Sequence, residues 1–130
     1  MNIPAELKYT KSDEWVKVAG NVATVGVTDY AQSQFSDIVF LEFSVEAENE
    51  IGKNDAIATL ESVKAAADIT SPVSGKVIEL NESLTDKFEL INSDPFGEAW
   101  IVKIELSDSS ELSSLLDATA YEKYCEERSH

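Results

Sequence analysis

The sequence predicts a mainly β or α+β domain with its C-terminal helices packed on one side. Two observations point there. Short β-branched blocks separated by turn residues recur along the chain up to Leu106, and the texture then changes at Ser107 to Ser, Asp and Leu at helical spacing. The 130 residues are enough for one domain, taken as 1–130, and folding should remove roughly two-thirds of the unfolded chain's surface from water.

The elements follow in order. Trp15-Val16-Lys17-Val18, the turn Ala19-Gly20-Asn21 and Val22-Ala23-Thr24-Val25-Gly26-Val27 read as a hairpin. Thr28 to Phe35, near residue 30, reads as a short helix of about two turns, with Thr28 as its cap and Asp29 facing the positive end of the dipole. Ile38 to Phe43 is apolar and β-branched enough for a buried strand, and Glu46 to Glu50 should be a solvated loop ending at Gly52. Strands are expected again at Gly75 to Leu80 and Trp100 to Leu106. In the second, Trp100, Val102, Ile104 and Leu106 should face the core and Ile101, Lys103 and Glu105 the outside. Leu112, Leu115 and Leu116 repeat at helical spacing, and Asp117 can cap a last helix carrying Tyr121, Tyr124 and Cys125.

Composition excludes several functions. The balance of 25 acidic against 10 basic residues, net −15, repels nucleic acid and anionic bilayers. It leaves two readings open, a surface made soluble by charge or one that attracts basic protein surfaces. One cysteine, Cys125, and one histidine, His130, rule out an intramolecular disulfide and a Cys/His zinc site. No apolar run approaches the ~18 residues of a membrane span. The start, Met1 to Glu6, lacks a secretory or transit pattern, so the expected location is the bacterial cytoplasm, or the mitochondrial matrix for a mature organellar form. Trp15 and Trp100 read as core residues, Cys125 as a structural or incidental thiol, and the terminal His130 as disordered.

In residues 56–68, propensity and motif point to different structures. Ala, Leu, Glu and Lys favour helix, so Ala56 to Ala67 alone would be helical, with Lys64 a solvated lysine paired to Glu61 or Asp68. Yet Lys64 lies between Gly52 and Gly75, each suited to a turn or bend, and Ser62, Ala65, Ala66 and Ala67 beside it are small.

Glu61-Ser62-Val63-Lys64-Ala65 resembles the attachment motif of lipoyl carriers, and specifically of the H protein family of the glycine cleavage system. Val27 to Gln32, Asp37-Ile38-Val39-Phe40, Ser71 to Gly75, Asp94-Pro95-Phe96-Gly97, Trp100 and Leu115-Leu116-Asp117 match that family in order and spacing, over Glu14 to Tyr121. Asp13 stands where the family often has His, Ser36 where it often has Gly, and Phe88 where it often has Pro.

The resemblance implies a lipoyl-type sandwich with Lys64 at a hairpin tip, carrying lipoic acid as an amide. Acylation would remove one positive charge, taking the net from −15 to −16. Lysine and lipoyl chain together span roughly a dozen bonds, about 15 Å. It also implies a non-catalytic role. The partners would be a glycine decarboxylase (P protein), a tetrahydrofolate-dependent aminomethyltransferase (T protein), a dihydrolipoyl dehydrogenase (L protein) and a lipoate ligase or lipoyl synthase, with the carrier itself a monomer. Glu14 is a candidate for pairing with the ammonium of the loaded arm, against a reading as a surface acid beside Trp15. Rival readings are a biotin carrier, which favours Met on both sides of its lysine where this chain has Val63 and Ala65, and a shorter acyltransferase lipoyl domain. An enzyme working through Asp13 and Glu14 leaves Lys64 unexplained. An H-like protein relaying lipoyl groups to other 2-oxoacid dehydrogenase complexes shares the motif.

Overall fold

The computed structural model describes residues 2–128, so the expectation for His130 lies outside the described residues. Among the described residues, nine strands form two antiparallel sheets. The larger contains β1 (Lys8–Tyr9), β2 (Glu14–Ala19), β3 (Val22–Val27), β5 (Glu50–Ile51), β8 (Gly75–Leu80) and β9 (Val102–Leu106), in the order β1-β2-β3-β9-β8-β5. The smaller contains β4 (Ile38–Phe43), β6 (Ala56–Ser62) and β7 (Ala66–Thr70), in the order β4-β6-β7. Val25, Ile104, Leu41, Leu60 and Ile69, drawn from both sheets, belong to one buried apolar cluster, the mainly β sandwich anticipated from the sequence.

The β2–β3 hairpin turns at Gly20, whose φ of 62° suits the missing Cβ. Helix α1 (Asp29–Phe35) starts as expected, with the Thr28 hydroxyl accepting from the Ala31 amide at 3.2 Å. It ends at Ser36, a non-glycine residue at φ 64°. Asn92 of α2 (Leu90–Ser93) holds that bend, donating to the Ser36 carbonyl at 2.6 Å and accepting from the Ile38 amide at 3.0 Å.

Several expectations need correction. The Ala56–Ala67 stretch is a hairpin, because pairing with β4 and burial of Ile57, Ala58 and Leu60 outweigh helix propensities of a few tenths of a kcal/mol per residue. The expected buried strand Ile38–Phe43 buries Ile38 and Leu41 but exposes Val39 and Phe40, since a bulge between Ile38 and Phe40 breaks the alternation. The acidic loop ends in the short strand β5 rather than running free to Gly52. Ile101, expected outside, is fully buried and donates to the Val25 carbonyl, while Trp100 is only half-buried with Lys103 over its ring; regular alternation begins at Val102. Gly75 starts a strand, not a turn: a Cβ there would lie 2.0 Å from the Glu105 carbonyl oxygen.

Leu112 lies in a 3-10 segment, Ser109–Ser114, and Leu115 is extended, so the leucine repeat is not an α-helix. Leu116 instead exchanges backbone bonds with Tyr9 at 2.8 Å each way. The last helix, α3 (Ala118–Arg128), is capped by Asp117, which accepts from the Ala120 amide at 2.8 Å. Its Tyr121 and Cys125 pack with Leu7, Tyr9 and Trp15 in a second core, where the Tyr9 and Tyr121 rings stack with centroids 4.7 Å apart. No helix among the described residues is long and apolar enough to cross a membrane.

Candidate functional site

Lys64 occupies the tip between β6 and β7. The Ser62 amide donates to the Ala65 carbonyl at 2.8 Å, closing a turn around Val63 and Lys64, neither of which has a positive φ. Tight hairpins of this size usually take positive φ at the central residues. Here the Ser62 hydroxyl supplies the missing order, accepting from the Lys64 amide at 3.2 Å and the Ala65 amide at 3.1 Å. Lys64, Ala65 and Ala66 are exposed, and Val63 keeps 71% of its surface in water. Among the described residues, Lys64 makes no ion pair with Glu61 or Asp68, contrary to what helical spacing would give. The amine is free to project.

One face of the hairpin leads inward from that tip. Glu61 pairs with Ala66 and Thr59 with Asp68, and the Thr59 hydroxyl donates to the Asp68 carboxylate at 3.0 Å. Alternation places Thr70 on the same face of β7 as Asp68. The Thr70 amide and hydroxyl both donate to Glu14 Oε2 at 3.4 Å. Glu14 therefore stands at the inner end of the track that begins at Lys64.

Glu14 is 1% exposed, so it is no surface acid. Its Oε1 accepts from the Thr10 and Ser12 hydroxyls, each at 2.7 Å. Burial pushes its carboxyl above the usual range; the Ser12 and Thr10 hydroxyls and the Thr70 amide pull the other way, and the Asp13 charge adds to the rise. The carboxylate borders a cleft of about 400 Å³ with Pro72, Leu115 and Leu116 among its apolar walls and Lys53 at its edge, the Lys53 ammonium donating to Ser114 at 2.9 Å. Polar floor and apolar walls can take up a chain ending in a cation.

The sequence reading missed Thr10, Ser12 and Thr70. Their only signal was hydroxyl residues flanking Glu14 and following the lysine hairpin, and such residues are common in loops.

Residues 7–128 match the family model for the glycine cleavage H-protein. The chain belongs to the glycine cleavage H-protein family. It is similar to the glycine cleavage system H protein of Staphylococcus haemolyticus (strain JCSC1435), with 50% identity over 123 residues that make up 95% of this chain and 97% of that protein. It also resembles the crystal structure of a glycine cleavage system H protein from Mycobacterium marinum, with a TM-score of 0.84 and 25% identity, covering 98% of this chain and 100% of that one. Among the described residues, no group of His, Cys, Asp and Glu could hold a metal ion, and Cys125 is buried in the second core.

Proposed function

We propose that this chain is the lipoyl-lysine carrier of a glycine cleavage system, with lipoic acid held as an amide on Lys64. The observation that carries the reading is an exposed lysine at a hydroxyl-braced hairpin tip. A bound lipoyl group supplies a dithiol/disulfide pair whose sulfur can carry an aminomethyl unit between the decarboxylase (P protein) and the aminomethyltransferase (T protein), and which the dihydrolipoyl dehydrogenase (L protein) returns to the disulfide.

The chain's own residues supply position and shelter. Glu61, Ser62, Val63 and Ala65 form the attachment motif around Lys64: Ser62 fixes the turn, and the small Ala65 leaves room for a partner's active-site mouth. From Lys64, an arm of about 15 Å laid back along a strand rising about 3.3 Å per residue reaches as far as Asp68 or Ile69, within about two residues of Thr70, which meets Glu14. Glu14 would pair with the ammonium of a loaded arm, and the apolar walls would limit attack by water. As a carrier, the protein would act as a monomer, as one domain, and without catalysing a step. A bacterial cytoplasm suits the similarity to a Staphylococcus protein.

Intact mass and peptide mapping of protein made in lipoate-fed cells test the assignment. A lipoyl-sized increase on Lys64, absent from Lys64→Ala, is the expected result; no increase, or a biotin-sized one, would overturn it. Hydrolysis of the aminomethyl-loaded protein should be faster in Glu14→Ala, and an unchanged rate removes Glu14 from the shelter.

A further inference from the structure

The smaller sheet carries an apolar patch beside its lysine. Val39 and Phe40 retain 46% and 41% of their exposure. In a regular strand these neighbours would face opposite sides, but the bulge between Ile38 and Phe40 interrupts that alternation while Ile38 and Leu41 remain in the core. Pairing fixes where they sit: Ile38 lies opposite Ser62 and Phe40 opposite Glu61, so the bulge adjoins the end of β6 that runs into Val63. Neighbouring strands are about 4.8 Å apart. The exposed Val63 thus continues the patch onto the tip itself. Around it stand the exposed carboxylates of Asp37, Glu42 and Glu61. An apolar centre with a charged rim is the anatomy of a protein docking surface.

We propose that Val39, Phe40 and Val63 form the docking surface for the enzyme that acylates Lys64, and that this enzyme meets them with an apolar socket rimmed by Lys or Arg. The inference rests on the reading of Lys64 as the acylated residue. Reach selects this partner over the others. The Lys64 Nζ extends only about 6 Å from its Cα, so an acylating enzyme must close over the tip and its flanks before bond formation. Enzymes that use the far end of the arm work about 15 Å out and can leave the patch uncovered. With an acyl adenylate as donor, the Nζ lone pair attacks the acyl carbon and the amide C–N bond forms. The acyl C–O bond to phosphate breaks, AMP leaves with that electron pair, and the two protons the ammonium gives up pass to solvent. The acidic rim and the net charge of −15 favour a basic-rimmed partner and make the encounter salt-dependent.

The test uses the full-length unacylated chain, its Val39→Ser/Phe40→Ser variant, and a lipoate ligase with lipoic acid and ATP. Both sites are exposed, so the variant should melt within a few degrees of the parent, which circular dichroism checks. The expected result is a KM for the protein acceptor raised about tenfold with kcat held within about twofold, and a parent KM that rises with salt. After acylation to completion at high enzyme concentration, the variant's lipoyl disulfide should be reduced by NADH through dihydrolipoyl dehydrogenase, run in reverse, within about twofold of the parent rate. An acceptor KM within about twofold of the parent overturns the docking surface. An equal loss in the dehydrogenase assay overturns its assignment to the acylating enzyme. Self-association of the parent, abolished in the variant, would assign the patch to a second copy of the chain. If the parent itself is not acylated at Lys64, the carrier reading fails and the inference falls with it.

Discussion

The Arg128 guanidinium in the last turn of α3 donates through both terminal nitrogens to the Asp13 carboxylate, joining residues 115 positions apart. The Tyr30 and Tyr124 rings flank the cation at 4.1 and 4.3 Å, and the Tyr121 hydroxyl donates to the same carboxylate at 2.8 Å. Asp13 has φ 72° and directly precedes Glu14, so the C-terminal helix holds the loop that presents the buried carboxylate. Because the pair is mostly out of water, removing one partner strands the other. Arg128→Gln should lower stability by about 2 kcal/mol, and Asp13→Asn/Arg128→Gln should recover part of that loss. Urea midpoints at constant slope measure both.

Glu14 should set part of the pH dependence of stability. Its folded pKa is raised, chiefly by burial. Between the ordinary Glu value near 4.3 and that higher value, the folded state holds more protons than the unfolded state, so stability falls as pH rises through this window. Glu14→Gln removes that slope. Melting curves from pH 4 to pH 8 should show the variant gaining on the parent as pH rises.

Ser36 ends α1 at φ 64°, a conformation disfavoured for a residue with a Cβ. Ser36→Gly should relieve the strain and raise stability by about 1 kcal/mol, with the Asn92 bond to the backbone carbonyl retained. Chemical denaturation provides the comparison.

Gly75→Ala should act in the opposite direction. The new methyl would meet the Glu105 backbone oxygen at 2.0 Å and the Ile104 side chain at 2.8 Å, so β8 and β9 must part. A loss of about 3 kcal/mol is expected, seen as a lowered melting temperature with faster amide exchange along both strands.

Ser62→Ala removes the acceptor for the Lys64 and Ala65 amides while leaving the body untouched. Exchange at those two amides should accelerate, with a global cost of about 1 kcal/mol or less.

Much of the fold was legible because local chemistry and tertiary structure agree. Thr28 caps α1, Gly20 turns the first hairpin, and Asp117 caps α3. The lysine hairpin was legible only through its motif. Ala, Glu and Lys score as helix formers, and the pairing with β4 that overrides them comes from a distant part of the chain. The same non-locality hid the cleft, to which residues 9–12, 14, 53–54, 72 and 114–116 each contribute. A single bulge turned the expected burial of Val39 and Phe40 into exposure.

The brace at Ser62 has a kinetic consequence. With the amides of Lys64 and Ala65 anchored to one hydroxyl, the pivot of any group on Lys64 is fixed and the freedom resides in the side chain. The search is then a sweep around a stationary point. Effective concentration at a docked partner, typically about millimolar for a short tether, would be set by the length of the arm and by where the partner sits on the sheet. Lengthening the turn would dilute that end without changing its chemistry.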